Sequence, residues 1–166
     1  MGARLAWGLL WFATVVALGR SGPADLVGTW QLVSRIDRDT AGNVVPEPGL
    51  GSDPKGYLIY DATGHVAAQL MKGHRSSNPC EVTAEARGNN VAAVGGYDAY
   101  FGRYDVDWSS GTVTHILDGA LAPSDVGRRL SRRFKLEGES LTIQFEPGGK
   151  DTPQVTRTLI WRRISR

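Results

Sequence analysis

The sequence predicts an all-β fold, an antiparallel barrel or sandwich of eight strands within one domain. Short runs of β-type composition recur along the chain, and glycine, proline, asparagine and aspartate separate them. Glycine supplies 21 of the 166 residues, well above the usual share of about 7%, which indicates many tight turns. A chain of 166 residues has the size of a single domain.

Each strand is predicted from a β-type run bounded by turn residues. The eight predicted strands lie at residues 26–36, 55–61, 65–71, 100–106, 112–118, 129–136, 140–146 and 154–164. A long loop rich in proline and glycine follows the first strand at 43–54, and one short helical piece is predicted within Val91–Tyr97. Antiparallel closure of eight strands leaves an interior that side chains fill or that holds one small ligand.

Two hairpins have a register that turn length predicts. The four-residue turn at 108–111 pairs Tyr104 with His115, on the same face as apolar neighbours. The turn at 137–140 places Arg132 on the apolar face of the next hairpin. We therefore expect three polar side chains to point into the barrel.

A third hairpin is predicted around the turn at 61–64. If its four residues all lie in the turn, Ile59 and Val66 share the apolar face. Tyr60 and His65 then fall on the more polar face. This register predicts no polar contribution from this hairpin to the interior.

Polar groups inside a small barrel require partners, because an unpaired buried group costs about 1–3 kcal/mol. The residues predicted to line a pocket are Tyr97, Tyr100, Tyr104, His115 and Arg132. Our first hypothesis is that they anchor a small apolar or amphipathic molecule in an otherwise apolar, ligand-sized cup.

Two further hypotheses use the same groups differently. A tyrosine beside a histidine can move a proton and an arginine can hold a carboxylate or enolate oxygen, so Tyr104, His115 and Arg132 could serve a lyase, isomerase or cyclase. Alternatively, these groups form an internal hydrogen-bond network in a filled barrel that acts as a structural or interaction domain. The sequence assigns no catalytic residue, because no motif combines a nucleophile, a base and an oxyanion site.

The first and last predicted strands carry a recognisable pattern. Gly28 and Trp30 form a Gly-x-Trp motif, and Arg162 and Arg163 follow a tryptophan in the last strand. Together they resemble the lipocalin and calycin pattern, an eight-stranded up-and-down barrel. The resemblance implies that Trp30 closes one end of the barrel and that Arg162 or Arg163 packs over it, as a cation over an indole face.

A longer similarity covers most of the chain. The runs 53–60, 64–71, 97–104 and 111–115 resemble the bacterial and fungal lipocalin-like domain family, and the resemblance extends over about residues 26–164. It implies a barrel with an internal pocket and carries over no established catalytic set. The sequence departs from the family's usual form in its N-terminal segment and in the arginine-rich run at 128–133.

Residues 1–24 are predicted to be a secretory signal region, followed by the barrel domain at 25–166. Arg4 precedes an uncharged run of 14 residues, which is shorter than the roughly 20 residues that a membrane span needs. Small residues favour cleavage after Gly19, with a cut after Ala24 as the later option. We expect a periplasmic or secreted protein without a stable membrane span, an uncleaved anchor or a misassigned start being the alternative.

Charge and cysteine usage limit the partners. The formal net charge is only +2, so we expect no nucleic-acid binding, and the alternation places Arg129 and Arg133 on a solvated outer face. The three histidines are too scattered for a metal site, and a single cysteine, Cys80, excludes an intramolecular disulfide. We expect no cofactor, and the sequence leaves the oligomeric state open.

Overall fold

A computed structural model describes residues 25–47, 49–75, 95–147 and 154–166 of the chain. Nine strands form one antiparallel sheet: β1 (Gly28–Asp39), β2 (Val44–Val45), β3 (Lys55–Tyr60), β4 (His65–Met71), β5 (Tyr97–Asp107), β6 (Thr112–Ala120), β7 (Arg129–Glu137), β8 (Ser140–Phe145) and β9 (Val155–Ser165). A 3-10 turn at Pro123–Asp125 lies between β6 and β7.

The eight long strands close into an up-and-down barrel. Each strand pairs with the next along the chain, apart from β2, and β1 pairs with both β3 and β9. The two-residue β2 pairs only with the far end of β1. The predicted eight-stranded antiparallel barrel is therefore confirmed.

The predicted strands correspond to the observed ones with small differences at their ends. The strand β5 begins at Tyr97, three residues before its predicted start at Tyr100. The strand β2 lies in the stretch predicted to be a loop. Of the predicted helical piece, residues 91–94 lie outside the described residues and Tyr97 already belongs to a strand.

The register of the β3–β4 hairpin differs from the prediction by one residue. Tyr60 pairs with Val66, and the backbone amide of Asp61 donates to the carbonyl of His65 at 2.9 Å, which leaves a three-residue loop. Gly64 has a φ of 90°, as expected for the left-handed residue that ends such a loop. The predicted four-residue turn is wrong, and Tyr60 faces the interior while Ile59 faces outward.

The other two hairpins have the predicted register. Tyr104 pairs with His115, and Phe134 pairs with Ile143. Alternation along β7 then directs Arg132 inward, where its side chain is buried. These pairings confirm that a histidine and an arginine face the core.

One end of the barrel is closed around Trp30. Its side chain is fully buried, and its indole Nε1 donates to the carbonyl of Leu26 at 2.9 Å. The guanidinium of Arg163 lies 4.0 Å from the centre of a Trp30 ring, whereas Arg162 lies on the outer face and donates to Gln31. A Cβ at Gly28 would lie 2.4 Å from the carbonyl oxygen of Ser165, so glycine lets these segments approach.

The opposite end, here called the mouth, carries buried ion pairs. Arg157 from β9 donates through two nitrogens to both carboxylate oxygens of Asp37 on β1, each at 2.7 Å. Arg35 on β1 pairs with Glu47 from the segment after β2. The interior thus passes from apolar packing at the closed end to charged groups at the mouth.

Candidate functional site

A chain of polar side chains occupies the middle of the barrel. The hydroxyl of Tyr60 lies 2.7 Å from His115 Nε2, and the hydroxyl of Tyr100 lies 2.9 Å from His115 Nδ1. All three side chains are buried. The imidazole therefore bridges two phenols out of contact with bulk water.

Three strands supply this tyrosine–histidine–tyrosine cluster: the hairpin of β5 and β6, and the earlier strand β3. Tyr60 is the last residue of β3, Tyr100 lies on β5, and His115 lies on β6. Because side chains alternate between the two faces of a strand, each of these residues shares the inner face with apolar neighbours. Closure of the barrel brings the three inner faces together.

Burial keeps all three groups of the cluster neutral. Loss of solvent, reinforced by the positive charge of Arg132, lowers the pKa of His115 well below its usual value. Burial also raises the pKa of Tyr100, and that of Tyr60 further still. Around neutral pH the cluster is an uncharged imidazole between two uncharged phenols.

Counting hydrogens shows that the cluster has one donor to spare. A neutral imidazole carries one N–H and the two phenols carry two O–H groups, but the two hydrogen bonds use only two of these three hydrogens. In the tautomer with hydrogen on Nδ1, His115 donates to Tyr100 and accepts from Tyr60. The spare hydrogen then belongs to the hydroxyl of Tyr100, whereas with hydrogen on Nε2 it belongs to the hydroxyl of Tyr60.

Arg132 adds a positive charge to the same region. Its guanidinium carbon lies 4.7 Å from the ring centre of Phe145 and 5.9 Å from that of Tyr100. One of its nitrogens donates to the carbonyl of Leu130 at 3.1 Å. A hydrogen-bond acceptor in this part of the barrel would therefore meet both a hydroxyl donor and a cation.

These groups line a small internal cavity. The space between the described side chains measures about 10 Å³, roughly the room that one water molecule needs. Apolar side chains form most of the wall, and the lining residues are Leu58, Ala68, Leu70, Tyr100, His115, Arg132, Ile143, Phe145, Leu159 and Trp161. The ligand-sized cavity expected from the sequence is not present between the described side chains, and a ligand must displace part of this wall.

The structure brings some of the predicted pocket residues together and separates others. Tyr100, His115 and Arg132 share the cavity wall. Tyr104 faces inward but donates its hydroxyl hydrogen to the carbonyl of Asp61 at 2.9 Å, nearer the closed end. Tyr97 lies on the outer face, where its hydroxyl donates to Gln69 at 3.1 Å.

Sequence reasoning missed two polar groups beside the predicted pocket residues. Tyr60 was assigned to the outer face by the incorrect register of its hairpin, although pairing it with Val66 would have placed it inside. Asp98 precedes the predicted start of its strand, but it lies on the inner face of β5 and is only 6% exposed. Its even spacing from Tyr100 is the signal that could have revealed it.

Grooves also lie on the outer face of the barrel. Two open grooves of about 350 and 270 Å³ cross the outer face of β3 and β4, sharing Ile59 and Ala67 in their walls.

Within the described ranges no three His, Cys, Asp or Glu side chains are grouped to hold a metal ion. The same part of the chain contains no helix of sufficient length and apolarity to span a membrane. Cys80 lies outside it.

The fold and the interior define a class of protein, a closed up-and-down β-barrel with one end sealed by a tryptophan beneath an arginine. A family model described as a lipocalin-like domain matches residues 27–164. The chain therefore belongs to the lipocalin-like domain family. Comparisons with curated proteins and with solved structures gave no match.

Proposed function

We propose that this lipocalin-like barrel binds a small amphipathic molecule whose acceptor oxygen is directed at Tyr100 and Arg132. The observation that carries the proposal is the pair of hydrogen bonds at His115, which leaves one hydrogen of the tyrosine–histidine–tyrosine cluster unused beside a buried cation. In the tautomer with hydrogen on Nδ1, the Tyr100 hydroxyl directs this hydrogen at the ligand. A carboxylate, carbonyl or phenolate oxygen would accept from both groups. The apolar body of the ligand would then replace the packing of the aliphatic wall.

Phe145 is the side chain that we expect to move when the ligand enters. It is half-buried at the end of β8, whereas the other nine lining side chains are buried. Its ring also covers the guanidinium of Arg132 at 4.7 Å. Rotation of Phe145 would both enlarge the cavity and uncover the cation.

The proposal is tested with pairs of probes that differ only in an acceptor group, such as phenylacetate and ethylbenzene. Calorimetry and the fluorescence of Trp161, which lines the cavity, report binding. We expect phenylacetate to bind at least tenfold more tightly, and Tyr100→Phe to remove about two- to tenfold of that preference, the equivalent of one hydrogen bond. Tyr97→Phe, on the outer face of the same strand, serves as the matched control and should change nothing.

A variant with a larger cavity provides the result that would overturn the binding proposal. Phe145→Ala should tighten the binding of bulkier carboxylates, because it removes the side chain that ligand entry would otherwise displace. If neither the wild type nor Phe145→Ala binds any probe saturably, the barrel is a filled structural or interaction domain and the proposal is wrong. If binding is found, native mass spectrometry of the protein from its own host would identify the natural ligand.

We also propose that binding takes place outside the cytoplasm. The support is the composition of residues 1–24, in which an arginine precedes an uncharged apolar run and small residues. Sequencing the N-terminus of the protein recovered from periplasmic and culture fractions tests this. A start at Arg20 or Asp25 supports export, and a cytoplasmic protein that retains residues 1–24 contradicts it.

A further inference from the structure

Asp98 is a buried carboxylate on the mouth side of the tyrosine–histidine–tyrosine cluster. It lies two residues from Tyr100 on the inner face of β5 and is only 6% exposed. Within the described part of the chain, its Oδ2 atom has no hydrogen-bond partner. A buried acceptor costs about 1–3 kcal/mol unless a water molecule or a ligand in the barrel interior donates to it.

Charged groups from three other elements influence this carboxylate. Burial raises the pKa of Asp98, and the carboxylate of Asp125 in the 3-10 turn raises it further. Arg35 on β1 and Arg132 on β7 act in the opposite direction on the pKa of Asp98. The result is a carboxylate that is more basic than one in water.

We propose that the barrel catalyses proton transfer on an enolisable carbonyl compound, with Asp98 as the base and Tyr100 as the donor to the carbonyl oxygen. This inference rests on the proposed function, because the acceptor oxygen that anchors the ligand becomes the reacting carbonyl. It adds Asp98, which binding alone does not need.

The proton and the electrons balance without a further reactant. Asp98 Oδ2 takes a proton from the carbon next to the carbonyl, and the C–H electron pair forms the C=C bond of an enolate. The carbonyl π electrons move to its oxygen, which the Tyr100 hydroxyl and the positive charge of Arg132 stabilise. With a β,γ-unsaturated ketone, return of the same proton to the γ-carbon gives the conjugated α,β-unsaturated isomer and restores the carboxylate.

The positions of Asp98 and Tyr100 suit their roles as the base and the hydrogen-bond donor. Residues 98 and 100 lie about 6.8 Å apart along the inner face of one strand. Tyr100 lines the cavity, and Asp98 lies at the next level toward the mouth, outside the lining, so a ligand must extend from the cavity toward the mouth to reach both groups. Besides burial, which raises the pKa of Tyr100, the positive charge of Arg132 lowers this pKa and the negative charge of Asp98 raises it. Arg132 also lowers the pKa of Asp98, so all three groups lie within electrostatic reach of one another. His115 and Tyr60 stand behind Tyr100 and hold its hydroxyl in place.

The test follows the isomerisation of cyclohex-3-enone to cyclohex-2-enone by the ultraviolet absorbance of the conjugated product. We expect the wild type to exceed the buffer rate at least 100-fold, and Asp98→Asn to lose about 10²- to 10⁴-fold, as for a general base. Tyr100→Phe should lose about tenfold or more, because the enolate oxygen loses its donor. Asp105→Asn, on the exposed outer face of the same strand, is the matched control and should retain full activity.

Binding is measured in parallel, so that the two proposals can fail separately. Calorimetry with cyclohex-2-enone and phenylacetate reports whether the cavity accepts an acceptor-bearing ligand. A wild type that binds these probes but isomerises the ketone no faster than Asp98→Asn overturns the catalytic inference and leaves the binding function standing. A wild type that neither binds nor converts any probe overturns both, and a folded Asp98→Asn that retains wild-type turnover shows that Asp98 is not the base.

Discussion

His115 joins two tyrosines in the centre of the barrel, at a place where an aliphatic side chain would pack without any need for partners. Its imidazole makes a hydrogen bond through each ring nitrogen, at 2.7 Å to Tyr60 and 2.9 Å to Tyr100. A residue held in this way costs stability in acid, because burial opposes its protonation.

The first prediction concerns the pH dependence of stability. Because the pKa of His115 is well below its unfolded value of about 6.5, the unfolded chain binds one more proton than the folded chain below that pH. The free energy of unfolding should therefore fall as the pH drops below about 6.5, with this residue contributing up to about 1.4 kcal/mol per pH unit. Denaturant titrations between pH 5 and pH 8 measure the slope.

Two variants isolate this contribution. His115→Gln should flatten the slope, whereas Tyr57→Phe, which removes an exposed hydroxyl on the outer face of β3, should leave it unchanged. An equal slope in the wild type and His115→Gln would show that His115 does not control acid stability.

A second prediction at this scale concerns the hydroxyl of Tyr60. Tyr60→Phe leaves a ring nitrogen of His115 without its partner in the barrel interior, so the free energy of unfolding should fall by about 1–3 kcal/mol. Tyr57→Phe, on the outer face of the same strand, is the control and should have almost no effect. Thermal and denaturant unfolding of both variants measure the difference, and equal losses would contradict the assigned hydrogen bond.

At the scale of elements, the three-residue loop between β3 and β4 decides whether Tyr60 enters the barrel. A shift of one residue in this hairpin would exchange Tyr60 for Ile59 on the inner face. Gly64 ends the loop with a φ of 90°, and no atom outside its chain neighbours lies within 4 Å of a Cβ built there. A side chain at this position is therefore disfavoured by the left-handed backbone conformation and not by crowding from neighbouring atoms.

This gives a third prediction. Gly64→Ala should lower the free energy of unfolding by about 1–2 kcal/mol, the cost of left-handed backbone for a residue with a Cβ. Gly64→Asn should lose less, since asparagine tolerates that conformation. Chemical denaturation compares the two, and an alanine variant as stable as the asparagine one would mean that the loop does not need the left-handed residue.

The elements also show how far the sequence predicts this molecule. Strand positions and the pairing of Tyr104 with His115 follow from alternation and from a turn whose four residues all lie outside the ladder. The loop around Thr63 could not be predicted in this way, because Asp61 accepts from the backbone amides of Thr63 and His65 and so favours a shorter loop. Tyr60 was lost from the predicted site for that reason. Asp98 was lost because its strand extends further than its β-type run.

For the whole molecule, closure depends on pairing β1 with β9 across nearly the full length of the chain. The ion pair between Asp37 and Arg157 joins these strands over a separation of 120 residues, and both side chains are buried. Removing one partner leaves the other charge buried without its main counter-ion, which is far more costly than losing a surface pair.

The fourth prediction is that Asp37→Asn lowers the free energy of unfolding by about 3–5 kcal/mol. Replacing both partners by apolar residues of similar volume, as in Asp37→Leu with Arg157→Met, should restore much of this loss. Asp105→Asn removes the exposed partner of Arg129 and should cost less than about 1 kcal/mol. Unfolding curves that gave the buried and exposed variants the same loss would contradict the role of this pair in closure.

The seam between β1 and β9 also has a consequence for the order of folding. During synthesis, β1 emerges before the other strands of the barrel and its β9 partner emerges after them, so the sheet has two open edges until β9 is available. Pairings at such a large sequence separation form slowly, and open edges favour association with other chains. Completion of the barrel therefore depends on the slow pairing of β9 with β1, and the chain is most prone to aggregation in the interval before β9 joins β1.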